Sequence, residues 1–374
     1  MKAVEALSAW TLRCMALAEE QWTARAWLAV LRPASHAYGA LVSFRAALFA
    51  RGLTGARRLP APVLSVGNLV AGGAGKTPFV EMLARRLHER GRRVAVVLRG
   101  YRGGSAKPMI VGDGRRVLCE PPAAADEAYL LARHLPGVAV LTGADRYRVG
   151  QIALEELKCE IIVLDDAFQH LRVHSDLDIV LVDAANPLGY GRLLPSGLLR
   201  ERPEALGRAD LVVITHADSG SDLDSIRQTI GRYAPTAPIA LAAHRPVGLI
   251  GARGEERLSP ERLDGQRLVA FSGIANPRGF EKTLVQLGAV VLAHHVFPDH
   301  YVYSAADLQA LSAAARKAGA SLMVTTEKDM VKLTHLDLGN EAVGLYALSI
   351  SLELLEGAEM LDRMLNRLVN PSTA

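Results

Sequence analysis

Pro62-Val-Leu-Ser-Val-Gly-Asn-Leu-Val-Ala-Gly-Gly-Ala-Gly-Lys-Thr77-Pro78 is the stretch that decides how the rest of the chain reads. Val63–Val66 has the unbroken apolar character of a short buried strand. Thr77 through His88 carries Phe79, Val80, Leu83 and Leu87 at helical spacing. Between strand and helix lies a loop in which Gly72, Gly73 and Gly75 lack Cβ atoms, so backbone N–H groups can close around a polyphosphate. Lys76 would reach the β- and γ-phosphates, and the Thr77 hydroxyl would ligate Mg²⁺ at the positive end of the helix. The segment Gly72, Gly73, Ala74, Gly75, Lys76, Thr77 and Pro78 is therefore expected to bind a nucleoside triphosphate with Mg²⁺. Val70 stands where the usual pattern has a glycine, and Gly72-Gly73 are expected to supply the turn instead.

With 374 residues, half of them hydrophobic, the chain has room for two ordinary cores and is too apolar to be disordered. Cys14, Cys119 and Cys159 have neither metal-ligand spacing nor an even count, and no signal peptide is evident, which suits a reducing cytosolic compartment. No run of about 18 apolar residues exists, so no classical membrane span is predicted.

The net charge of +4 is unevenly placed: residues 1–58 hold eight Lys/Arg against three acids. That end lacks the aromatic-and-basic stripe of a nucleic-acid surface, and no nucleic-acid partner is expected. All three tryptophans (Trp10, Trp22, Trp27) fall there. The pattern predicts a helix over 4–31 stopped by Pro33, then a second from Ser35 to about Arg51, closed by Gly52. Apolar helices flanked by Arg and Trp either lie in a membrane interface or pack on the domain.

Downstream, Arg92–Leu98, Val138–Thr142, Ile161–Asp165, Asp178–Asp183 and Leu211–Thr215 read as strands alternating with helices. Residues 105–122 read as a surface excursion with a short hairpin. Ile161-Ile-Val-Leu-Asp-Asp166 ends in acids, as the second half of a P-loop site does, where a carboxylate holds Mg²⁺ or its waters. Asp126-Glu127 opens a helix, where acids serve as caps or as catalysts. Asn186–Glu201 is too long and too rich in Gly and Pro for a minimal connection.

The fold expected is α/β, a P-loop NTPase-like parallel sheet with helices on both faces, plus a second, smaller α/β domain. The domains are drawn as 1–58 (basic amphipathic helices), 59–215 (P-loop domain), 216–351 (second domain closing over the site) and 352–374 (C-terminal helix and tail). Strands are expected at Ile239–Ala242, Leu268–Ser272, Ala289–Phe297, Ser321–Thr325 and Leu345–Leu352, with helices near 276–287, 304–318 and 354–369. Phe297-Pro-Asp-His-Tyr301 and Thr325-Thr-Glu-Lys-Asp-Met-Val-Lys332 are the polar clusters of that half.

Taken together, the motifs resemble the tetraacyldisaccharide 4′-kinases, the lipid A 4′-kinases of Gram-negative bacteria. The resemblance runs from about Trp27 to about Leu355. It rests on Ser65-Val-Gly-Asn68 with the Gly-rich loop, Arg99-Gly-Tyr101, Asp126-Glu127, Gly143-Ala-Asp-Arg146 and Leu164-Asp-Asp-Ala-Phe-Gln-His170. It continues through Asp176-Leu-Asp178, Gly191-Arg-Leu-Leu-Pro-Ser-Gly197, Arg200-Glu201, Phe271-Ser-Gly-Ile-Ala-Asn-Pro277, Phe297-Pro-Asp-His300 and Thr326-Glu-Lys-Asp329. Ala125 and Ala128 around the acidic pair, Ala167 and Leu198 depart from the family pattern.

The resemblance implies phosphoryl transfer from ATP to the 4′-hydroxyl of an acylated glucosamine disaccharide 1-phosphate, giving lipid IVA, at the cytoplasmic face of the inner membrane. It tilts the N-terminal helices toward interfacial binding, in an enzyme expected to be peripheral and monomeric. By motif, Asp126 would be the general base, His300 its partner and Lys76 the phosphate-binding cation. Thr77, Asp165, Asp166 and Glu201 would serve the metal, and Asn68, Arg99, Tyr101, Gln169 and Arg200 the substrate. The rival reading is a P-loop switch or chaperone that hydrolyses nucleotide to act on a protein partner. No Asn-Lys-x-Asp motif accompanies it, and Thr215-His-Ala-Asp218 is only a faint likeness.

Overall fold

The computed structural model describes residues 2–17, 21–100, 107–252, 256–299, 301–333, 336 and 344–369. Helices α1 (Lys2–Leu17) and α2 (Trp22–Ala50) lead into β1 (Val63–Asn68) and α3 (Lys76–Glu89). Then come β2 (Val94–Leu98), β3 (Met109–Asp113), α4 (Asp126–His134), β4 (Ala139–Thr142) and α5 (Arg146–Glu155). Strands β5 (Ile161–Asp165), β6 (Leu177–Asp183) and β7 (Leu211–Thr215) complete the first half. The second half holds α6 (Leu223–Tyr233), β8 (Ile239–Gly251), β9 (Arg257–Leu258), β10 (Arg267–Ser272), α7 (Pro277–Gln286) and β11 (Val290–Val296). It ends with α8 (Ala305–Ala318), β12 (Leu322–Thr326), α9 (Glu327–Val331), β13 (Gly344–Glu356) and α10 (Ala358–Val369).

All thirteen strands join one sheet, in the order β11-β10-β12-β13-β8-β7-β6-β1-β5-β2-β4-β3, with β9 pairing on β8. Pairing is parallel from β8 through β4 and from β13 through β11. The two parallel runs meet at the antiparallel pair β8–β13, and β3 closes the far edge antiparallel to β4. Because β1, β2 and β5 are apolar on both faces, the sheet is covered on both sides. Leu64, Val66, Val96 and Val163 pack with α3, α4 and α10, while Val63, Val97, Ile162 and Leu164 face α5. Phe79, Val80, Leu83 and Leu87 of α3 are all fully buried, and each contributes about 2 kcal/mol of hydrophobic burial. Strand β1 sits between β5 and β6, where the strand order changes direction, and α/β sheets bind ligands at the carboxyl end of such a point.

Two expectations about the elements need correction. Pro33 does not stop a helix: α2 runs through it from Trp22, and the interruption lies before Trp22 instead. Proline in a helix interior removes a hydrogen bond and costs about 3 kcal/mol. Tertiary contacts on both sides of it offset that cost. Leu28 is buried upstream, Ser35 Oγ donates to Ser196 Oγ (2.8 Å), and Gly39 lets the helix close on Leu193, where a Cβ would lie 2.5 Å from Leu193 Cδ1. Strands β8 and β13 are also longer than expected, because each pairs with the other along its whole second part. Helix α10 then returns to the first half: Leu361 and Leu365 join the α3–α4 core, and Asp362 pairs with Arg86 (2.9 Å) and Arg90 (2.7 Å).

Candidate active site

The Gly-rich loop leaves the carboxyl end of β1 and ends in α3, whose N-cap Gly75 has the left-handed φ of +74° that a side chain would strain. Lys76, Thr77 and Pro78 form the first turn, where proline loses no intrahelical bond. At Val70 the loop is stitched to residues 198–199: Val70 bridges Leu199, and Ala71 N–H donates to Leu198 O (2.7 Å). Val70 does not take a positive φ, so a side chain is tolerated there, while Gly72 takes φ +134° in the turn that follows. The long Gly/Pro-rich connection after β6 is thus a wall of the site.

Lys76 Nζ donates to Asn68 Oδ1 (3.1 Å) and lies 3.5 Å from both Gly72 O and Asp166 Oδ1. Arg200 clamps the same Asp166 oxygen at 2.7 Å. Burial pushes the Asp166 carboxyl up, but Lys76 and Arg200 outweigh it and hold its pKa below the ordinary value. Asp166 adopts φ +50°, a left-handed geometry that turns its side chain away from its neighbour's. Asp165 behaves oppositely. It is buried at the end of β5, its Oδ1 has no hydrogen-bond partner, and burial together with the charge of Glu127 pushes its pKa up to about 7. A buried carboxyl whose oxygen lacks a hydrogen-bond partner fits a cation that would hold it ionised, so Asp165 with the Thr77 hydroxyl suits a hard divalent ion.

Asp126 and Glu127 open α4, both half-buried. Glu127 Oε1 lies 3.2 Å from Lys328 Nζ of α9, and the same ammonium lies 3.8 Å from Asp299 Oδ1. One cation from the second half thereby draws the segment just before His300 toward the acidic pair. The loop after β10 also reaches across: a Cβ on Gly73 would meet Ala275 Cβ at 3.8 Å. His134, at the other end of α4, touches Glu81 of α3 (3.1 Å) and Glu327 of α9 (3.0 Å).

Gly72, Gly73, Ala74, Gly75, Lys76, Thr77, Asp165, Asp166 and Arg200 converge around the loop. Asn68 is buried beneath it, giving its side-chain oxygen to Lys76, and Gln169 Nε2 donates to Asn68 O (2.9 Å). Glu201 is buried, and its carboxylate is taken by Arg208 (2.8 Å), which in turn stacks on Phe168. Among the described residues no cluster of three or more His, Cys, Asp or Glu is arranged for a metal. Arg99 is exposed at the end of β2. Tyr101 and His300 lie outside the described residues. Lys328, Glu327 and His134 had no individual functional reading in the sequence; Glu327 and Lys328 stood only within the Thr326-Glu-Lys-Asp329 cluster, and nothing marked His134.

The family model described as Tetraacyldisaccharide-1-P 4′-kinase matches residues 27–370. The Tetraacyldisaccharide 4′-kinase of Anaeromyxobacter dehalogenans strain 2CP-C is 43% identical over 330 residues, covering 88% of this chain and 87% of that one. The protein of the same name from Geobacter sulfurreducens is 45% identical over 311 residues, 82% and 85% of the two chains. The crystal structure of LpxK from Aquifex aeolicus in complex with ATP superposes with a TM-score of 0.75 at 33% identity, over 91% of this chain and 99% of that one.

Proposed function

The chain belongs to the tetraacyldisaccharide 4′-kinase family, and from that premise we propose that it transfers the γ-phosphoryl group of ATP to the 4′-hydroxyl of a tetraacyldisaccharide 1-phosphate, giving lipid IVA. The observation that carries the reading is the run of charge Lys76–Asp166–Arg200 beside the bare Asp165 Oδ1 at the head of the Gly-rich loop. Phosphoryl transfer asks mainly for charge neutralisation and in-line alignment. Backbone N–H groups of the loop and Lys76 supply the first, and Arg200 locks Asp166 so that Lys76 is held over the loop. A sugar hydroxyl is weakly acidic, so a carboxylate must take its proton as the bond to phosphorus forms and the bond to the β-phosphate oxygen breaks. Asp126 holds that proton, with His300 as its orienting partner. The bridge from Glu127 through Lys328 to Asp299 supports this pairing.

Thr77 and Asp165 would hold Mg²⁺, and the ion, when bound, neutralises the β- and γ-phosphate oxygens. Asp166 would act through Lys76 and Arg200, and Glu201 through Arg208, rather than as ligands of the ion.

Membrane binding is part of the same proposal. Trp22, Val30, Leu41 and Phe44 are exposed, and their spacing along α2 sets them within one arc of roughly 100°. The opposite side carries the buried Ala24, Leu28, Ser35 and Gly39. No helix among the described residues is long and apolar enough to cross a membrane, so the stripe suits a helix lying in the interface at the inner membrane's cytoplasmic face. Beside it opens a cavity of about 410 Å³ lined by Arg32, His36, Arg192 and Arg202, suited to the acceptor's phosphate end.

The test is ATP turnover in detergent micelles with and without the acceptor. A kinase turns over ATP only with acceptor present. Steady turnover without it would favour the nucleotide-driven switch.

A further inference from the structure

Three parallel strands of the second half, β11, β10 and β12, end side by side, and their exits converge on one buried carboxylate. Asp329 of α9 is fully buried, and both of its oxygens are taken. Oδ2 accepts from the Gly273 N–H just after β10 (2.9 Å) and from Thr326 Oγ1 at the end of β12 (2.7 Å). Oδ1 accepts from Lys332 Nζ (2.8 Å), a lysine that is itself buried. The exit of β11 closes on the same point. Phe297 N–H donates to Ser272 O (2.8 Å), and a Cβ on Gly273 would meet Pro298 O, Tyr303 OH and Asp329 Oδ1, each at 3.1 Å. A buried ion pair adds little net stability over an apolar pair of the same volume, so stability alone gives no reason for charge here.

What this carboxylate fixes is direction. Helix α9 has five residues, far fewer than the roughly dozen an isolated helix needs in water, so its orientation must come from an anchor. Glu327 and Lys328, the two residues before Asp329, leave the anchor and grip α4 at both ends. Lys328 Nζ lies 3.2 Å from Glu127 Oε1 in the first turn, and Glu327 Oε1 lies 3.0 Å from His134 Nε2 in the last. Residues 127 and 134 stand about 10 Å apart along the helix axis. One grip would leave α4 free to swing about it, whereas two at that separation set its tilt. Asp126 is the first residue of α4, so the tilt decides where its carboxylate lies.

We propose that Asp329 is a positioning residue for Asp126: by tying the exits of β10 and β12 to Lys332, it aims α9 so that Glu327 and Lys328 hold α4 at both ends. The proposal rests on the kinase reading above, with Asp126 as the proton acceptor. Asp329 touches neither substrate nor nucleotide in this arrangement and acts through two helices.

The experiment is a double-mutant cycle on γ-phosphate transfer to the acceptor in micelles, with the full chain. Asp329→Asn keeps the side chain's shape but cannot both accept from Gly273 and Thr326 and neutralise Lys332. Gly273→Ala leaves every polar group in place and forces the neighbours apart by a few tenths of an ångström. Each is expected to lower kcat about tenfold, with the KM for ATP unmoved. In an Asp126→Ala background, where no base is left to aim, the same changes should cost less than about twofold. An equal fold-loss in both backgrounds, or wild-type kcat in the two single variants, would overturn the proposal. If Asp329→Asn does not fold, Gly273→Ala decides alone. The readings beneath it fail separately and visibly: the kinase by a wild type that transfers nothing to the acceptor, the base by an Asp126→Ala enzyme as fast as wild type. Either result also overturns the positioning role.

Discussion

His134 joins three helices. Its Nδ1 lies 3.1 Å from Glu81 of α3 and its Nε2 3.0 Å from Glu327 of α9, at the end of α4. Burial alone would lower the ring's pKa, but the two carboxylates outweigh it and raise the value from 6.5 to about 9. A group that holds its proton more tightly in the fold than in the unfolded chain stabilises the fold fully below the unfolded pKa. That contribution falls as pH rises from 6.5 and is gone above about 9. Two to three pH units at about 1.4 kcal/mol each give roughly 3 kcal/mol. The assay is urea unfolding of wild type and His134→Gln at pH 6.5 and pH 9.5. Wild type should lose about 3 kcal/mol more than the variant over that range. Asp165, raised to about 7 by burial, and Cys159, raised to about 11 by burial, titrate alike in both proteins and cancel in the difference. Parallel pH profiles for the two proteins would refute the clamp.

Three further outcomes follow from the same geometry. Gly75→Ala puts a Cβ 2.7 Å from His244 at a φ of +74°; it should cost about 1–3 kcal/mol in thermal unfolding and weaken ADP binding, and an unchanged melting temperature would contradict the close approach. Phe44→Glu places a charge in the exposed stripe of α2 and should reduce sedimentation with anionic vesicles roughly tenfold, whereas equal binding would remove α2 from the membrane. The double variant Arg192→Ala, Arg202→Ala should raise the acceptor KM about tenfold with the ATP KM unmoved, and an unaltered acceptor KM would empty the cavity of that role.

The P-loop half was open to reading because its signals are local. Glycines, Lys-Thr and apolar strands flank one another within Pro62–His88, and each obeys a short-range rule. Ile161–Asp166 was legible for the same reason, an apolar strand with acids at its carboxyl end. What escaped depends on contacts distant in sequence. Helix α2 survives Pro33 through Ser35, whose partner Ser196 lies 161 residues away. Val70 bridges Leu199, and Glu201 is drawn to Arg208, neither of which spacing alone reveals. Lys328 was visible only as one of several charges. Its meaning comes from the fold, which sets it between Glu127 and Asp299. His216 follows β7 and His244 lies within β8, and the two become a pair only when these strands align.

The central claim is that Lys76, Asp126 and the loop before Tyr301 act together in phosphoryl transfer to a lipid hydroxyl. Transfer of labelled γ-phosphate to tetraacyldisaccharide 1-phosphate in micelles, by wild type, Lys76→Ala, Asp126→Ala and His300→Ala, tests it most directly. Lys76→Ala should abolish transfer, and the other two should lower kcat by about 10²–10⁴-fold, the usual share of general base catalysis. Wild-type rates in Asp126→Ala would contradict the account.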